Sequence, residues 1–145
     1  MLPEDSKKLV RRLIDAINAG NWSALDESFA PNYVDRTPFP GTTPNLLGAK
    51  EILTQLRAAF PDFRYTVEDE IYAGDRIVNR LTAKGTQKNE FMGFPATGKQ
   101  ATWTEIHISR VADGKFVEHW GIVDQYSMLQ QLGLVPAVKQ VAAVK

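Results

Sequence analysis

The sequence of 145 residues contains no cysteine, only two histidines and no excess of either charge. The lack of cysteine excludes disulfides, thiol nucleophiles and cysteine-ligated metal sites. Lysine and arginine together number 17, as do aspartate and glutamate. Because nucleic acids and anionic membrane surfaces attract basic proteins, this balance gives no reason to expect either partner.

The chain also lacks a long apolar run. No segment approaches the roughly 20 residues that span a bilayer, and the opening MLPEDSKK has no signal-peptide core. We therefore expect a cytoplasmic protein without a membrane partner. A hydrophobic content of 43% with 23% charged residues is typical of a globular domain. We place one domain at residues 1–136 and a C-terminal tail at residues 137–145.

The spacing of apolar residues changes from a helical period to strict alternation along the chain. Two prolines between residues 33 and 41 argue against a regular helix or central strand there. The predicted elements are helices over residues 4–19, 22–29, 48–60 and 127–132, strands over 63–73 and 76–87, a loop over 88–98, and a second hairpin centred on 113–114. Helices followed by strands predict an α+β fold, with the N-terminal helices on one face of a curved antiparallel sheet.

The second hairpin organises the rest of the chain. Asp113-Gly114 lies between two β-rich runs and predicts a two-residue turn, in which Ala112 pairs with Lys115. Alternate side chains of paired strands then share a face. One predicted face holds Trp103, Glu105, His107, Glu118, Trp120, Ile122 and Asp124, and the other holds Ile106, Ile108, Arg110, Val117, His119, Gly121 and Val123. A three-residue loop would regroup these faces, because a shift of one residue turns every side chain over.

The first predicted face combines two tryptophans, carboxylates and a histidine, which is typical of a small-molecule pocket. A half-exposed sheet whose acids point to water is the structural alternative. Asp124 and His107 are the candidates for general acid–base catalysis. Each has a structural alternative: Asp124 as the N-cap of the closing helix, and His107 as a core histidine bonded to a backbone carbonyl.

Other chemistries have little support in the sequence. His107 and His119 are predicted on opposite faces and no H-x-H or H-E-x-x-H spacing exists, so we expect no metal site. Neither a G-x-S-x-G elbow nor a dinucleotide fingerprint is present. The segment GFPATGKQ, residues 93–100, has Gln100 where a phosphate loop has serine or threonine. We therefore expect no cofactor.

Five segments resemble one known family. They are F-x-P-x-Y-V-D (residues 29–35), L-R-A-A-F-P-D (56–62), E-F-M-G-F-P-A-T-G-K (90–99), D-G-K-F-V-E-H-W (113–120) and D-Q-Y-S-M-L-Q-Q-L-G (124–133). They resemble the SnoaL-like polyketide cyclases of the nuclear-transport-factor-2-like (NTF2-like) superfamily. The similarity covers about residues 5 to 134.

The resemblance implies an NTF2-like cone, in which a curved antiparallel or mixed sheet packs on N-terminal helices around a deep apolar pocket, and a homodimer. Such cyclases close a ring by intramolecular aldol condensation without a metal or cofactor. Their key aspartate at the end of the last strand corresponds to Asp124, and a histidine on the neighbouring strand corresponds to His107. Relatives often have Asp-His where this chain has Asp35-Arg36, which changes the charge at the pocket mouth.

Together these patterns predict a cofactor-independent cyclase-type enzyme acting on a polyketide-like or other apolar carbonyl compound. The predicted substrate-binding residues are Trp103, Glu105, Trp120, Phe39, Asp35, Phe91 and Met92. Three alternatives stay open: an epoxide-hydrolase-like enzyme using Asp69, Arg80 and Asp124, an isomerase in the same pocket, and a small-molecule-binding protein without catalysis, since a fold alone does not give a function.

Overall fold

The structure, a computed structural model, describes residues 3–136. Its elements are α1 (Pro3–Ala19), a 3-10 helix (Trp22–Glu27), β1 (Phe29–Asp35), α2 (Leu46–Ala59), β2 (Arg64–Ala73), β3 (Arg76–Thr86), β4 (Gln100–Ala112), β5 (Lys115–Val123) and α3 (Gln125–Gln131). The predicted α+β order is confirmed. The predicted tail, residues 137–145, lies outside the described residues. Within the described residues no helix is long and apolar enough to cross a membrane.

The five strands form one mixed sheet in the order β1-β5-β4-β3-β2. Strands β2 to β5 pair antiparallel, as predicted, while β1 pairs parallel with β5. The sequence-based prediction missed β1, because it treated residues 33–41 as irregular. This strand ends at Asp35, before the two prolines, and its own Pro31 lies at the sheet edge where the pairing shifts between Phe29 and Val34, a position that tolerates a missing N–H.

Helices α1 and α2 contribute to a common core with the inner face of the sheet. The buried residues of α1 include Leu9, Val10, Ile14 and Ile17, whose spacing places them on one face of the helix. The Arg57 guanidinium of α2 donates to the carbonyl oxygens of Ile17 and Asn18 at 2.9 and 2.8 Å. This contact ties α2 to the end of α1, where Gly20 adopts a positive φ of 69°.

Asn18 connects α1 to strand β2. Its side-chain amide donates to the Tyr65 carbonyl oxygen at 3.0 Å, and its Oδ1 accepts from the Tyr65 backbone N–H at 2.8 Å. Two bonds to one residue fix both the position and the orientation of that backbone. The Tyr65 side chain is thereby directed into the core between the helices and the sheet.

The β4–β5 hairpin has the predicted turn but not the predicted register. Asp113 and Gly114 both have positive φ, 51° and 73°, as a type I′ turn requires, and Ala112 pairs with Lys115. Further along the ladder, Val111 faces Phe116 but Arg110 faces Glu118. Strand β5 therefore has one extra residue at this point, a β-bulge.

The bulge allows two incompatible side chains to be near neighbours on one strand. Phe116 is buried in the core, whereas Glu118 pairs with Arg36 at 2.7 Å and Arg110 at 2.8 Å on the outer side. Residues two apart on a regular strand share a face. A regular strand would bring Glu118 into the core with Phe116, or Phe116 out to solvent with Glu118.

The predicted assignment of the β5 side chains to the two faces of the sheet is consequently wrong. His107 pairs with Gly121, Glu105 with Val123, and Ile108 with Trp120. The inner face holds Trp103, Glu105, His107, His119, Gly121 and Val123, and the outer face holds Ile106, Ile108, Glu118, Trp120 and Ile122. The two histidines, predicted on opposite faces, lie on the same one.

Candidate active site

A cavity of about 190 Å³ lies between the helices and the inner face of the sheet. Most of its lining is apolar, from α1, α2 and the strands. Its polar lining residues on the sheet side and the following loop include Asp35, Thr37, Asn79, Glu105, His107, Ser109 and His119. An apolar space with a few converging polar groups is the usual form of a small-molecule site.

Four of these polar side chains form one continuous chain of hydrogen bonds, which we call the relay: Asp35, His119, His107 and Glu105. Asp35 Oδ1 lies 3.0 Å from His119 Nδ1, and His119 Nε2 lies 2.7 Å from His107 Nδ1. His107 Nε2 lies 2.9 Å from Glu105 Oε1. Strands β1, β5 and β4, which are adjacent in the sheet, supply these groups, so the register sets their spacing.

Glu105 is the buried end of the relay, with a residue exposure of 3%. The Tyr65 hydroxyl donates to Oε1 at 2.6 Å and the Trp103 indole N–H donates to Oε2 at 2.8 Å. Burial, followed by the adjacent Glu105 carboxylate, raises the pKa of Tyr65 well above its ordinary value, so this hydroxyl keeps its proton and donates. These donors stabilise a carboxylate that would otherwise be costly to bury.

The relay needs more protons than two neutral imidazoles supply. A neutral imidazole has one ring N–H, whereas the three contacts of the relay each require one proton between the two heavy atoms. The four groups together therefore hold one proton more than two neutral imidazoles and two ionised carboxylates would carry.

Asp35 is the other end of the relay, and like the other three members it lines the cavity. Burial by itself would raise the pKa of its carboxyl, but the hydrogen bond and charge of His119 and the bonds from Thr37 together lower it below the ordinary value of 3.8. All of these bonds go to Oδ1. Within residues 3–136 the second oxygen, Oδ2, accepts no hydrogen bond, and Asp35 lines the cavity, so this oxygen is available to a bound molecule.

Gly121 provides the space that the two rings occupy. A Cβ atom at this position would lie 2.5 Å from His107 Nδ1 and 2.9 Å from His119 Cε1, too close for any real contact. The backbone N–H of Gly121 also donates to Thr37 Oγ1 at 2.7 Å. Since Thr37 in turn donates to Asp35, this glycine supports both halves of the relay.

Six of the predicted site residues line the cavity: Trp103, Glu105, His107, Asp35, Phe39 and Phe91. Phe91 is buried and contacts the Phe60 ring edge-to-face at 5.6 Å between ring centroids. Two others do not reach the cavity. Met92, the residue after Phe91 in the loop, is 39% exposed. Trp120 lies on the outer face, with the Arg76 guanidinium 4.9 Å from its ring centroid.

Asp124 is exposed and does not line the cavity. Its Oδ1 accepts from the Ser127 backbone N–H at 3.2 Å, which makes it the N-cap of α3. The predicted position of Asp124 on the cavity face, beside Trp103 and Trp120, is therefore wrong. The bulge exchanges the two faces of β5, and the strand ends at Val123. The structural alternative for Asp124, the helix cap, is confirmed.

The sequence-based prediction missed His119, Gly121, Tyr65 and Asn79 as cavity groups. His119 was assigned to the opposite face by the regular register. One signal could have indicated it: Phe116 favours burial and Glu118 favours solvent, and a bulge between them lets each residue take its preferred face. Tyr65 and Asn79 carry no such signal, because their roles depend on contacts between distant strands.

Among residues 3–136 no group of three or more histidine, aspartate or glutamate side chains is arranged to hold a metal ion. Each histidine of the relay instead uses both ring nitrogens in bonds to its neighbours. The carboxylates of Asp35 and Glu105 are at opposite ends of the relay. This donor set is arranged for proton sharing.

The sequence profile of the SnoaL-like polyketide cyclase family matches residues 7–132. The chain belongs to this family. A cyclase relative is 30% identical over 132 residues, which are 86% of this chain and 88% of the relative: the aklanonic acid methyl ester cyclase DnrD of Streptomyces peucetius. Membership of a family with named cyclases supports an enzymatic role for this member.

Solved structures agree with the cyclase-family assignment. TsrD from Streptomyces laurentii has a TM-score of 0.85 at 27% identity, covering 93% of this chain and 99% of its own. IdmH from Streptomyces antibioticus has a TM-score of 0.76 at 37% identity, covering 88% and 97% respectively. The NTF2-like cone expected from the resemblance is thereby confirmed.

Proposed function

We propose that this protein cyclises an apolar, polyketide-like carbonyl compound by acid–base chemistry, with the relay as its catalytic device. The observation that carries this proposal is the unbroken contact from Asp35 through His119 and His107 to Glu105 at the wall of an apolar cavity. Family membership supports the reaction class. The ionised, accessible Oδ2 of Asp35 replaces Asp124 as the general base that we assign.

The proposed reaction is an intramolecular aldol condensation. Asp35 Oδ2 removes a proton from a carbon flanked by carbonyl groups, and the resulting enolate carbon attacks a second carbonyl carbon of the same molecule. One carbon–carbon bond forms, and the alkoxide oxygen takes back the proton from the Asp35 carboxyl. No proton is gained or lost overall, and a carbon acid activated by two carbonyls needs only moderate help from a base, about 10²–10⁴-fold.

The other three groups of the relay position and support Asp35. His119 contacts Oδ1 at 3.0 Å, so the relay does not use Oδ2. The hydrogen bond from His119 and the bonds from Thr37 favour the ionised carboxylate of Asp35 before reaction. Glu105, fixed by Tyr65 and Trp103, in turn orients His107, as a buried carboxylate orients the histidine of other acid–base sites.

The epoxide-hydrolase alternative requires Asp69, Arg80 and Asp124 to face the pocket. Asp69 and Arg80 pair with each other at 2.8 Å, and both are exposed on the outer face. Asp124 caps α3. The three groups therefore do not converge on the cavity, and no observation favours this alternative over the cyclase.

We also propose that two copies associate through the outer face of the sheet. Ile71, Val78, Ile108 and Trp120 are register partners in one row across four strands. In the next row Ile106 and Ile122 face each other and are 48% and 72% exposed. Contiguous exposed apolar side chains of this kind mark protein interfaces, and the twofold symmetry of a dimer would cover the row with its own copy.

The test of the cyclase proposal compares two aspartates. Aklanonic acid methyl ester, the compound in the name of the Streptomyces peucetius relative, serves as the first substrate. We expect Asp35→Asn to lower kcat by about 10² or more and Asp124→Asn to change it by less than about twofold, since asparagine and aspartate cap helices comparably. Thermal unfolding midpoints confirm that both variants fold.

The reverse result would contradict our assignment and return the catalytic role to Asp124. Equal, small effects of both substitutions would remove carboxylate base catalysis from the proposal. A wild-type protein that is inactive on this ester and on other polyketide-like esters with several carbonyl groups would overturn the proposed substrate class. Each outcome is read from product formation by chromatography.

A further inference from the structure

Asn79 is a buried polar residue to which the relay assigns no role. It lies on β3, where its Cα pairs with that of His107 on β4, and its residue exposure is 7%. Its side chain lines the cavity. Within residues 3–136 the amide nitrogen Nδ2 is buried and has no hydrogen-bond partner.

This unpaired amide conflicts with the pattern of its own strand. The neighbouring inward residues of β3 are Ile77 and Leu81, both buried and apolar. A leucine at position 79 would continue that pattern and leave no donor without a partner. Buried polar groups are almost always hydrogen-bonded, and those that are not call for an explanation.

We propose that the Asn79 amide donates a hydrogen bond to a carbonyl or phenol oxygen of the bound molecule, and so forms an oxygen-binding subsite. This inference rests on the proposed function, since it names a second contact in the same cavity. The unsatisfied atom is a neutral donor at a mostly apolar cavity, and its natural partner is an oxygen acceptor on an otherwise apolar ligand.

The subsite would determine how the substrate lies in the cavity. Adjacent strands are about 4.8 Å apart, so an oxygen held by Asn79 lies beside His107 on the next strand. Asp35 belongs to β1, beyond β4 and β5 in the sheet. An oxygen at Asn79 and an acidic carbon at Asp35 then define two ends of one ligand, and a positioning residue of this kind selects which ring carbon meets the base.

Two matched probes test the subsite without requiring turnover. 2-Acetylnaphthalene carries a carbonyl oxygen, whereas 2-ethylnaphthalene has nearly the same shape without it. We expect Asn79→Leu to weaken binding of the ketone relative to the hydrocarbon by about fivefold, the effect of one neutral hydrogen bond. Leu81→Ala, which removes apolar lining from the same strand, should weaken both probes equally and leave their ratio unchanged. Dissociation constants come from isothermal titration calorimetry.

The thermal midpoint of unfolding provides the second readout. Because Asn79→Leu replaces an unpaired buried amide by an apolar side chain of similar size, we expect it to raise the midpoint. An unchanged ratio of ketone to hydrocarbon affinity in Asn79→Leu would overturn the subsite. A lowered midpoint together with equally weakened binding of both probes would also overturn it and would assign Asn79 a structural role.

The probe ratio tests the subsite, and the aspartate variants test the mechanism. If Asn79→Leu weakens binding of the ketone relative to the hydrocarbon as expected, while Asp35→Asn leaves turnover unchanged, the subsite is supported and the proposed mechanism is contradicted. The opposite combination would support the mechanism and contradict the subsite.

Discussion

His107 Nδ1 lies 2.7 Å from His119 Nε2, and the two rings lie end to end, with centroids 5.0 Å apart and ring planes 22° from parallel. These residues come from neighbouring strands and would face opposite sides of the sheet in a regular hairpin. One extra residue in β5, between Phe116 and Glu118, brings them to the same side. The catalytic device that we propose therefore depends on a β-bulge and on the missing side chain of Gly121.

Gly121→Ala should separate the two imidazoles. The new methyl group would overlap His107 Nδ1, and overpacking of this kind lowers the free energy of unfolding by about 1–3 kcal/mol. We expect turnover to fall while the protein stays folded, and the far-downfield proton NMR signal of the imidazole–imidazole bond to disappear. Thr104→Ala, on the neighbouring strand, is the control and should leave the signal in place. Persistence of the signal in Gly121→Ala would show that the rings do not need this space.

Acid should destabilise the protein partly through Asp35. Its folded-state pKa lies below the ordinary value of 3.8, so the carboxylate binds fewer protons when folded than when unfolded. Its contribution to stability is therefore fully present above the unfolded-state pKa and is lost as the pH falls through the lower folded-state pKa. We expect Asp35→Asn to flatten the dependence of the unfolding free energy on pH in this acidic range, measured by urea denaturation.

Asp62 provides the comparison for this acid effect. Hydrogen bonds from Thr86 lower its pKa as well, but it is remote from the cavity and its carboxylate accepts from the Thr86 backbone N–H at 2.7 Å. Asp62→Asn should also reduce the acid sensitivity while leaving turnover unchanged. Identical acid sensitivity in the wild type and in Asp35→Asn would contradict the stabilisation that we assign to the relay.

Charge on the outer face of the sheet should prevent association. The wild type should scatter light as a species of about twice the 16.2 kDa chain mass, and Ile122→Glu should shift it to a monomer, since a carboxylate at the centre of an apolar contact is costly to bury. Leu47→Glu is the matched control, because Leu47 is 60% exposed on α2, away from the sheet face. A monomeric wild type at high concentration would exclude the dimer.

Local patterns in the sequence were sufficient for most of the framework. The helical stripe of α1, the change to alternating residues at β2 and the Asp113-Gly114 turn each depend on neighbours along the chain. The spacing of hydrophobic residues and the residue types at turns determine such elements, and both can be recognised in the sequence without knowledge of the fold. The cavity-lining positions of Trp103, Glu105 and His107 follow from the same alternation on β4.

Contacts between distant segments decided the rest. Whether His119 or Trp120 faces the cavity depends on the β5 bulge, which exists because Phe116 enters the core while Glu118 remains with Arg36 and Arg110 outside. Strand β1 is stabilised by pairing with β5, a segment far along the chain. The sequence alone determined the fold class and the candidate residues on β4, but the register of β5 decided which groups meet, because a shift of one residue in a strand exchanges its two faces.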